Sequence, residues 1–328
     1  MRIALVPATS LEDPTYARVC TGLARALAAR GHAARAFDPS EADDLRRFAP
    51  ELVHAHFSGR LPDRTRELYA RLARGGARLV LTFQDLDHRD HPRRSSAQTR
   101  DVAGLVRRSD RVTALTPALA RAVRAAYPSA AGKIAIVGNG VGPGWFAAAS
   151  AGRGGIAASA RLAPYKGVDL LLWAFRGLLE REPGARLTVC GRDFSGGHYQ
   201  RLADRLGIAS RVRFLGGVGD ARLRRELAKA RFFVSASRSE TYGMAALEAM
   251  AGGRAALLTR TGVAAELAHG REVWTVPAGD WRALERGMLR LWNDAALRRK
   301  LARGGRRAAA ARTWDARARA YEKVYRCA

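Results

Sequence analysis

The chain has 328 residues, of which 48% are hydrophobic and 27% charged, a composition that predicts about two globular domains and excludes a mainly disordered chain. Lysine and arginine total 57 against 30 aspartate and glutamate residues, so the net charge is +27. Because only five of these 57 cations are lysine, the excess reflects either a GC-rich coding sequence or an anionic partner, which would be nucleic acid, an acidic membrane surface or a phosphorylated substrate.

The first 137 residues alternate short apolar runs with amphipathic stretches, a pattern typical of a parallel sheet whose strands are joined by helices. A helix is predicted from about Tyr16 to Arg30, and Gly31 closes it. Six strands are predicted, at residues 2–6, 32–37, 52–56, 78–83, 111–115 and 133–137.

Residues 138–155 are rich in glycine and lack apolar periodicity, so we expect the interdomain linker there. The alternation then resumes and ends in a helical tail from about Trp281 to Tyr325. Six further strands are predicted, at residues 155–160, 186–190, 211–216, 231–236, 255–259 and 273–277.

The predicted fold class is therefore α/β, with two Rossmann-like domains that face each other across a cleft. We expect the domains at residues 1–147 and 148–328, and we allow the terminal helix to cross back to the first domain. Ligands of such folds bind at the carboxyl ends of the strands, so the loops that follow the strands are the place to look for chemistry.

Residues 237–253, SRSETYGMAALEAMAGG, join a polar loop to a helix that is apolar nearly all round. Glu248 is the only charge on that helix, and a buried carboxylate needs hydrogen-bond donors, which the hydroxyls of a ribose would supply. The N–H groups at the helix start form an anion site, and Glu240 lies in the loop just before it. The alternative is that Glu248 pairs with a core arginine and that Glu240 is an ordinary acid at a helix start.

Residues 159–175, SARLAPYKGVDLLLWAF, place Arg161 and Lys166 in a loop between a strand and a helix. Two cations at the carboxyl end of a strand can hold a diphosphate, the arginine through its two-pronged guanidinium and the lysine as a point charge. The alternative is that both are solvated loop cations.

Together the two segments resemble the retaining glycosyltransferases of family 4, which have the GT-B fold. The family pattern G-R-L-x-x-x-K-G-x-D-x-L-L-x-A-F is matched from Ala160, which replaces the first glycine, to Phe175. The pattern S-R-x-E-x-(F/Y)-G-x-x-x-x-E-A-M-A-x-G is matched from Ser237 to Gly253, and the spacing of its two glutamates is kept.

The resemblance implies transfer of a sugar, with retention at the anomeric carbon, from a nucleotide diphosphate sugar (a UDP- or GDP-sugar). The acceptor would be lipid-linked, a polysaccharide or a small molecule, in cell-surface glycan biosynthesis. By this resemblance Arg161 and Lys166 hold the diphosphate, Glu240 binds the donor sugar and Glu248 the ribose. Backbone atoms complete the phosphate site at Gly243, Met244 and Ala245, and frame the base near Gly191 and Val218. No metal or other cofactor is expected, because protein cations and a helix terminus take that role.

The N-terminal half departs from the family on the acceptor side. The histidine that many members carry after the fourth strand is replaced by Gln84, which Asp85 follows. Asp85 or His88 is then the candidate general base, unless the leaving phosphate itself takes the proton of the acceptor. His56, at the end of the third strand, is a further acceptor-side candidate, although a histidine there is more often structural.

Two other functions compete with this interpretation. A basic nucleic-acid-binding protein fits the charge, but no such signature is visible and the aromatic residues do not alternate with the arginines, so no nucleic-acid partner is expected. A nucleotide-sugar epimerase would keep the fold and change the reaction.

The setting is predicted to be the cytoplasm. No run approaches the ~18 apolar residues of a membrane-spanning helix, and the start, MRIALVPATS, turns polar too early for a secretory signal. The three cysteines form neither a disulfide framework nor a zinc set. The arginines allow a position at the inner face of the cytoplasmic membrane, and the candidates for that contact are Arg89, Arg93, Arg94, Arg298, Arg299, Arg306 and Arg307.

Overall fold

The computed structural model describes residues 1–58, 62–85, 96–146, 152 and 154–328. The chain divides into two compact units: unit 1 is Met1–Gly140 with Arg312–Ala328, and unit 2 is Val141–Ala311. The change of unit at Gly140 falls within the glycine-rich stretch that we expected to be the linker. The last 17 residues return to unit 1.

Unit 1 is built on a six-stranded sheet in the order β2-β1-β3-β4-β5-β6, and all its strand pairs are parallel. Its strands are β1 (Arg2–Pro7), β2 (Ala33–Ala36), β3 (Leu52–Ser58), β4 (Arg78–Asp85), β5 (Arg111–Ala114) and β6 (Ile134–Ile136). The strand order reverses at β1, which pairs with both β2 and β3. A topological switch point of this kind opens a crevice at the carboxyl ends of the strands.

Unit 2 repeats the design with a second parallel six-stranded sheet, in the order β12-β11-β10-β7-β8-β9. Its strands are β7 (Ile156–Ser159), β8 (Leu187–Cys190), β9 (Val212–Phe214), β10 (Phe232–Ser235), β11 (Ala256–Thr259) and β12 (Trp274–Val276). Here the order reverses between β7 and β10, so the crevice of unit 2 lies at their carboxyl ends.

Helices connect the strands and cover both sheets. They are α1 (Pro14–Ala28), α2 (Ala42–Phe48), α3 (Asp63–Arg74), α4 (Ser96–Arg108), α5 (Pro117–Ala126), α6 (Val168–Arg181), α7 (His198–Arg205), α8 (Asp220–Lys229), α9 (Met244–Ala251), α10 (Trp281–Asn293), α11 (Ala295–Ala310) and α12 (Trp314–Arg326). The core of unit 1 includes Leu5 of β1, Leu23 of α1 and Tyr325 of α12. The core of unit 2 includes Phe175 of α6 and Phe232 of β10.

All twelve predicted strands are confirmed, and the α/β class with two parallel sheets is confirmed with them. The helical tail predicted from about Trp281 to Tyr325 is confirmed as helical, and the structure divides it into three helices. The breaks fall where side chains cap a new helix: the carboxylate of Asp294 accepts from the N–H of Leu297 at 2.8 Å, and the hydroxyl of Thr313 accepts from the N–H of Ala316 at 3.3 Å.

Candidate active site

The residues expected to hold a nucleotide diphosphate gather at the switch point of unit 2. Arg161 and Lys166 follow β7, and Glu240 follows β10, which pairs directly with β7. The next helix, α9, begins at Met244. Because the carboxyl ends of neighbouring parallel strands meet at one edge of the sheet, the two motifs are brought together although 74 residues separate Lys166 from Glu240.

Lys166 and Glu240 are in direct contact. The Nζ of Lys166 donates to Oε1 of Glu240 at 2.8 Å, and their side chains are 16% and 18% exposed. The hydroxyl of Ser237 donates to the same oxygen at 2.9 Å. Glu240 is thus held by a cation and a hydroxyl, and a charge-assisted bond of this kind fixes its carboxylate more firmly than a neutral one would.

A second ion pair ties the β7–α6 loop to the β10–α9 loop. The guanidinium of Arg238 donates to both carboxylate oxygens of Asp169, at 2.7 and 2.6 Å, and to the carbonyl of Pro164 at 2.9 Å. The N–H of Arg238 also donates to the carbonyl of Tyr165 at 2.8 Å. Arg238 is the arginine of the S-R-x-E motif, for which the sequence predicted no role. Its contacts show that it positions the loop that carries Lys166.

The close approach of these two loops requires glycine at residue 167. Gly167 has a φ of 61°, and a Cβ there would lie 2.2 Å from the carbonyl oxygen of Ala236. The Lys-Gly pair of the first motif is therefore a steric requirement, since any side chain at this position would push the β10–α9 loop away from Lys166.

Helix α9 provides an N-terminus and a buried carboxylate. Gly243 precedes the helix with a φ of 101°. The N–H groups of Met244 and Ala245 lie in the first turn, where backbone N–H groups have no carbonyl acceptor within the helix. Glu248, one turn further on, is 2% exposed. The helix dipole adds partial positive charge at the same end, so this terminus suits an anion.

Arg161 and the loops after β8 and β9 form the other side of the crevice. The Cζ of Arg161 lies 6.0 Å from the ring centroid of Phe194, which is 59% exposed. The N–H of Gly191 donates to the carbonyl of Gly216 at 2.8 Å, and this bond joins the loop after β8 to the loop that contains Val218. The sequence offered no signal for Phe194, because a lone aromatic residue in a loop has no periodicity to mark it.

Two family models match the chain in succession. Glycosyltransferase Family 4 matches residues 37–144, and Glycosyl transferases group 1 matches residues 150–308. The chain belongs to the family 4 glycosyltransferases. The match to the group 1 model includes every donor-side residue described above.

Two curated relatives carry names that specify phosphorylated acceptors or products. D-inositol 3-phosphate glycosyltransferase of Streptomyces avermitilis is 32% identical over 68% of this chain and 53% of its own length. Mannosylfructose-phosphate synthase of Agrobacterium fabrum is 34% identical over 48% of this chain and 37% of its own length. The chain thus spans about half or less of the length of these curated relatives.

Solved structures show the GT-B fold for the whole chain. Sucrose-phosphate synthase from Thermosynechococcus elongatus superposes with a TM-score of 0.81 at 18% identity, covering 99% of this chain and 98% of that one. Anabaena HepE in complex with UDP and glucose superposes with a TM-score of 0.80 at 17% identity, covering both chains fully.

In unit 1 of this family 4 chain, two of the acceptor-side candidates, His56 and Gln84, form a buried polar cluster with Asn139. The amide nitrogen of Gln84 lies 3.1 Å from Nδ1 of His56, and the amide of Asn139 donates to Oε1 of Gln84 at 2.9 Å. His56 is 1% exposed and Gln84 is 9% exposed. The cluster joins the carboxyl ends of β3 and β4 to the segment after β6.

The imidazole of His56 is held neutral. Burial lowers its pKa to about 3, because an imidazolium there would lose its hydration. Since Nδ1 accepts from Gln84, the proton of the neutral ring sits on Nε2, which has no hydrogen-bond partner among the described residues. His56 is therefore a hydrogen-bond donor and not an acid at neutral pH.

The other polar residues near the ends of β3 and β4 lie outside this cluster or outside the described residues. Asp85 ends β4 half-buried and pairs with Ser58 of β3, after a shift in strand register that skips Gln84. His88 lies outside the described residues. His54, two residues before His56, contacts the Tyr325 hydroxyl through Nδ1 at 2.7 Å and the Thr82 hydroxyl through Nε2 at 2.6 Å, so it anchors α12 within unit 1.

Proposed function

We propose that the chain is a retaining glycosyltransferase that uses a nucleotide diphosphate sugar as donor. The contact between Lys166 and Glu240, beside the N-terminus of α9 and the buried Glu248, carries the proposal. One crevice of unit 2 thus combines groups suited to a diphosphate, a ribose and the hydroxyls of a sugar.

Each group has a separate part in the reaction. The bond from the anomeric carbon to the diphosphate oxygen breaks, and a bond from that carbon to the acceptor oxygen forms on the same face of the sugar. Negative charge accumulates on the leaving diphosphate, where Arg161, Lys166 and the N–H groups of Met244 and Ala245 stabilise it. Glu240 holds hydroxyls of the donor sugar. The proton of the acceptor hydroxyl passes to a leaving phosphate oxygen or to Asp85.

The reaction proceeds without a divalent metal in this proposal. A metal in such chemistry neutralises the charge of the leaving group, and two side-chain cations with a helix terminus supply the same charge at fixed positions. The donor is a UDP- or GDP-sugar, as the family resemblance implies.

A small phosphorylated polyol is the acceptor class with the most direct support. The names of the relatives specify inositol 3-phosphate and mannosylfructose phosphate. A lipid-linked sugar in cell-surface glycan synthesis is the second class, and the excess of arginine favours it because such an acceptor lies at an anionic surface.

Product analysis tests the proposal. The protein is incubated with UDP-, GDP- and ADP-glucose or mannose and with inositol 3-phosphate or fructose phosphate, with and without EDTA, and the anomeric configuration of the product is read by NMR. We expect an α-linked product from one α-configured donor, formed equally well in EDTA. An inverted product would refute retention, and strict dependence on added metal would refute the proposed role of the cations.

A further inference from the structure

A basic cavity of about 220 Å³ lies in unit 1 between α3 and α4. It is lined by Arg66, Tyr69, Leu79, Arg100, Asp101, Gly104, Leu105, Arg107 and Arg108, which we call the arginine pocket. Leu79 is the second residue of β4, whereas Gln84 lies near its other end. At roughly 3.3 Å per residue of strand the two are about 17 Å apart, so the pocket is separate from the acceptor-side cluster.

The pocket carries an excess of positive charge. Its lining contains four arginines and one aspartate, a net charge of +3. Arg66 uses the aspartate, since its guanidinium lies 2.5 Å from the carboxylate of Asp101. The other three arginines, Arg100, Arg107 and Arg108, have no carboxylate partner in the part of the chain that the structure describes.

Two of these guanidinium groups converge on one point. A Cβ placed on Gly104 of α4 would lie 3.8 Å from Nη2 of Arg107 and 3.8 Å from Nη1 of Arg108. Like charges that face one point repel each other, and an anion at that point would attract both of them. Two guanidinium forks around one oxyanion are the arrangement that phosphate prefers.

The floor of the pocket is apolar. Tyr69, Leu79 and Leu105 are 0%, 1% and 4% exposed, and the hydroxyl of Tyr69 is already used by the carbonyl of Val6 at 2.9 Å. Inorganic phosphate would fill only part of the cavity. A phosphate monoester would place its oxygens against the arginines at the rim, which are Arg100, Arg107 and Arg108, and its organic group against the apolar floor.

We propose that the arginine pocket binds a phosphate monoester, at a site distinct from the nucleotide-sugar crevice of unit 2. The monoester is either a soluble metabolite or the headgroup of a phospholipid, since both present the same dianion to the rim. The proposal does not depend on the proposed glycosyl transfer, because it concerns binding alone and other residues.

The test compares variants of the full-length protein by calorimetry at constant ionic strength. All variants carry R161Q/K166Q, so that phosphate bound in the donor crevice does not contribute. R107Q/R108Q removes the two converging cations. R46Q/R47Q is the matched control, because it removes an adjacent arginine pair at the end of α2 whose members already pair with Asp43 and Asp44.

A third variant, G104D, keeps both arginines and places a carboxylate between them. A Cβ at residue 104 makes only ordinary contacts with the two guanidinium groups, so the substitution fits the helix. The probes are inorganic phosphate, phenyl phosphate and vesicles of phosphatidylcholine with or without phosphatidic acid.

We expect the control to bind phenyl phosphate more tightly than it binds inorganic phosphate. We also expect the affinity for phenyl phosphate to be at least tenfold lower in R107Q/R108Q and in G104D than in the control. Phosphatidic acid vesicles that bind with the same dependence on the variants, while the soluble probes do not bind, would identify a lipid headgroup as the source and still support the site. Equal binding of every probe to R107Q/R108Q and R46Q/R47Q, or no binding to the control, would overturn the proposal.

Discussion

Glu248 has a carboxylate that is 2% exposed within an otherwise apolar helix. A buried carboxylate is a strong hydrogen-bond acceptor, because charge-assisted bonds are stronger than neutral ones. A ribose provides two hydroxyl donors on adjacent carbons, which matches the two oxygens of a carboxylate. The proposed function assigns the ribose to Glu248, which lies one turn inside a helix whose N-terminus suits phosphate.

Glu248→Gln is therefore expected to weaken the binding of a nucleoside diphosphate by about 1.5–3 kcal/mol, the usual loss for hydrogen bonds to a charged acceptor. Calorimetric titration measures the change. The control is Glu180→Gln, which alters an exposed glutamate on α6 of the same unit. Equal affinity in the two variants, both folded, would remove the ribose role from Glu248.

His56 makes the stability of unit 1 sensitive to acid. Its pKa is about 3 in the folded chain, because burial penalises the imidazolium, and about 6.5 when unfolded. Between these values the unfolded state binds the extra proton, so stability is complete above pH 6.5 and falls as the pH drops toward 3.

Between pH 7 and pH 5 the free energy of unfolding of the wild type should fall by about 2 kcal/mol more than that of His56→Gln. Urea unfolding at both pH values gives the difference. His269→Gln, which removes an exposed histidine of unit 2, controls for the loss of an imidazole. If His56→Gln loses as much stability as the wild type over this interval, the histidine is not buried in its neutral form.

At the scale of elements, the contacts of Arg238 with Asp169 and Pro164, which we call the Arg238 clamp, fix the position of the β7–α6 loop against the β10–α9 loop. The bidentate pair with Asp169 and the bond to the carbonyl of Pro164 need the planar fork of a guanidinium. Lysine keeps the charge but can satisfy only part of this set. The loop that carries Lys166 would then lose its fixed distance from Glu240.

Arg238→Lys should lower kcat by about 10–100-fold, since a displacement of about 1 Å can cost about 100-fold in rate. Steady-state kinetics with the donor identified by product analysis measures the change. Arg176→Lys is the matched control, because its side chain lies on the surface of α6, where it contacts Glu180 and the ring of Trp173. A kcat for Arg238→Lys equal to that of the control would mean that the clamp does not position the site.

The elements themselves were largely predictable, whereas their side-chain contacts were not. Most strands are short, mainly apolar runs between turn residues, so local sequence located all twelve. The bond from Lys166 to Glu240 and the fork of Arg238 on Asp169 join residues that are 74 and 69 positions apart, and no local pattern encodes such distances. The motif predicted which residues gather, and the switch-point topology supplied the reason.

The C-terminal tail shows what helix propensity leaves undetermined. Its alanines and arginines favour helix throughout, so propensity predicted a helical tail without its internal boundaries. Asp294 and Thr313 start new helices because their side chains accept hydrogen bonds from the backbone ahead of them. The last of these helices packs in unit 1, where Tyr321 and Tyr325 are buried.

Over the whole molecule, the net charge of +27 is not all available to a partner. Arg298 donates to the carbonyls of Leu291 and Trp292, and Arg306 donates to that of Phe146 at 2.7 Å. Arg299 and Arg307 are exposed. The other candidates for a membrane contact, Arg89, Arg93 and Arg94, lie outside the described residues, and no helix of the described chain is long and apolar enough to span a membrane.

We predict reversible binding to anionic vesicles, with each basic side chain near the surface contributing about 1 kcal/mol. Co-sedimentation at low salt measures it, and binding should decline as salt rises because the charges are screened. Binding should be lost in Arg89/Arg93/Arg94→Glu and weakened in Arg299/Arg307→Glu. Arg46/Arg47→Glu changes an exposed pair at the end of α2 and serves as the control. Absence of binding at low ionic strength would show that the charge has no membrane role.

The most direct test of the whole account is the titration of UDP, GDP and ADP into the wild type and into Arg161→Ala/Lys166→Ala. The two cations are assigned to the diphosphate, so the double variant should lose most of the affinity and leave the fold intact. We predict that one nucleoside diphosphate binds the wild type and that the double variant binds it at least about 100-fold more weakly, as expected for two charge-assisted contacts. Undiminished binding in the double variant, or no binding of any of the three to the wild type, would contradict the account.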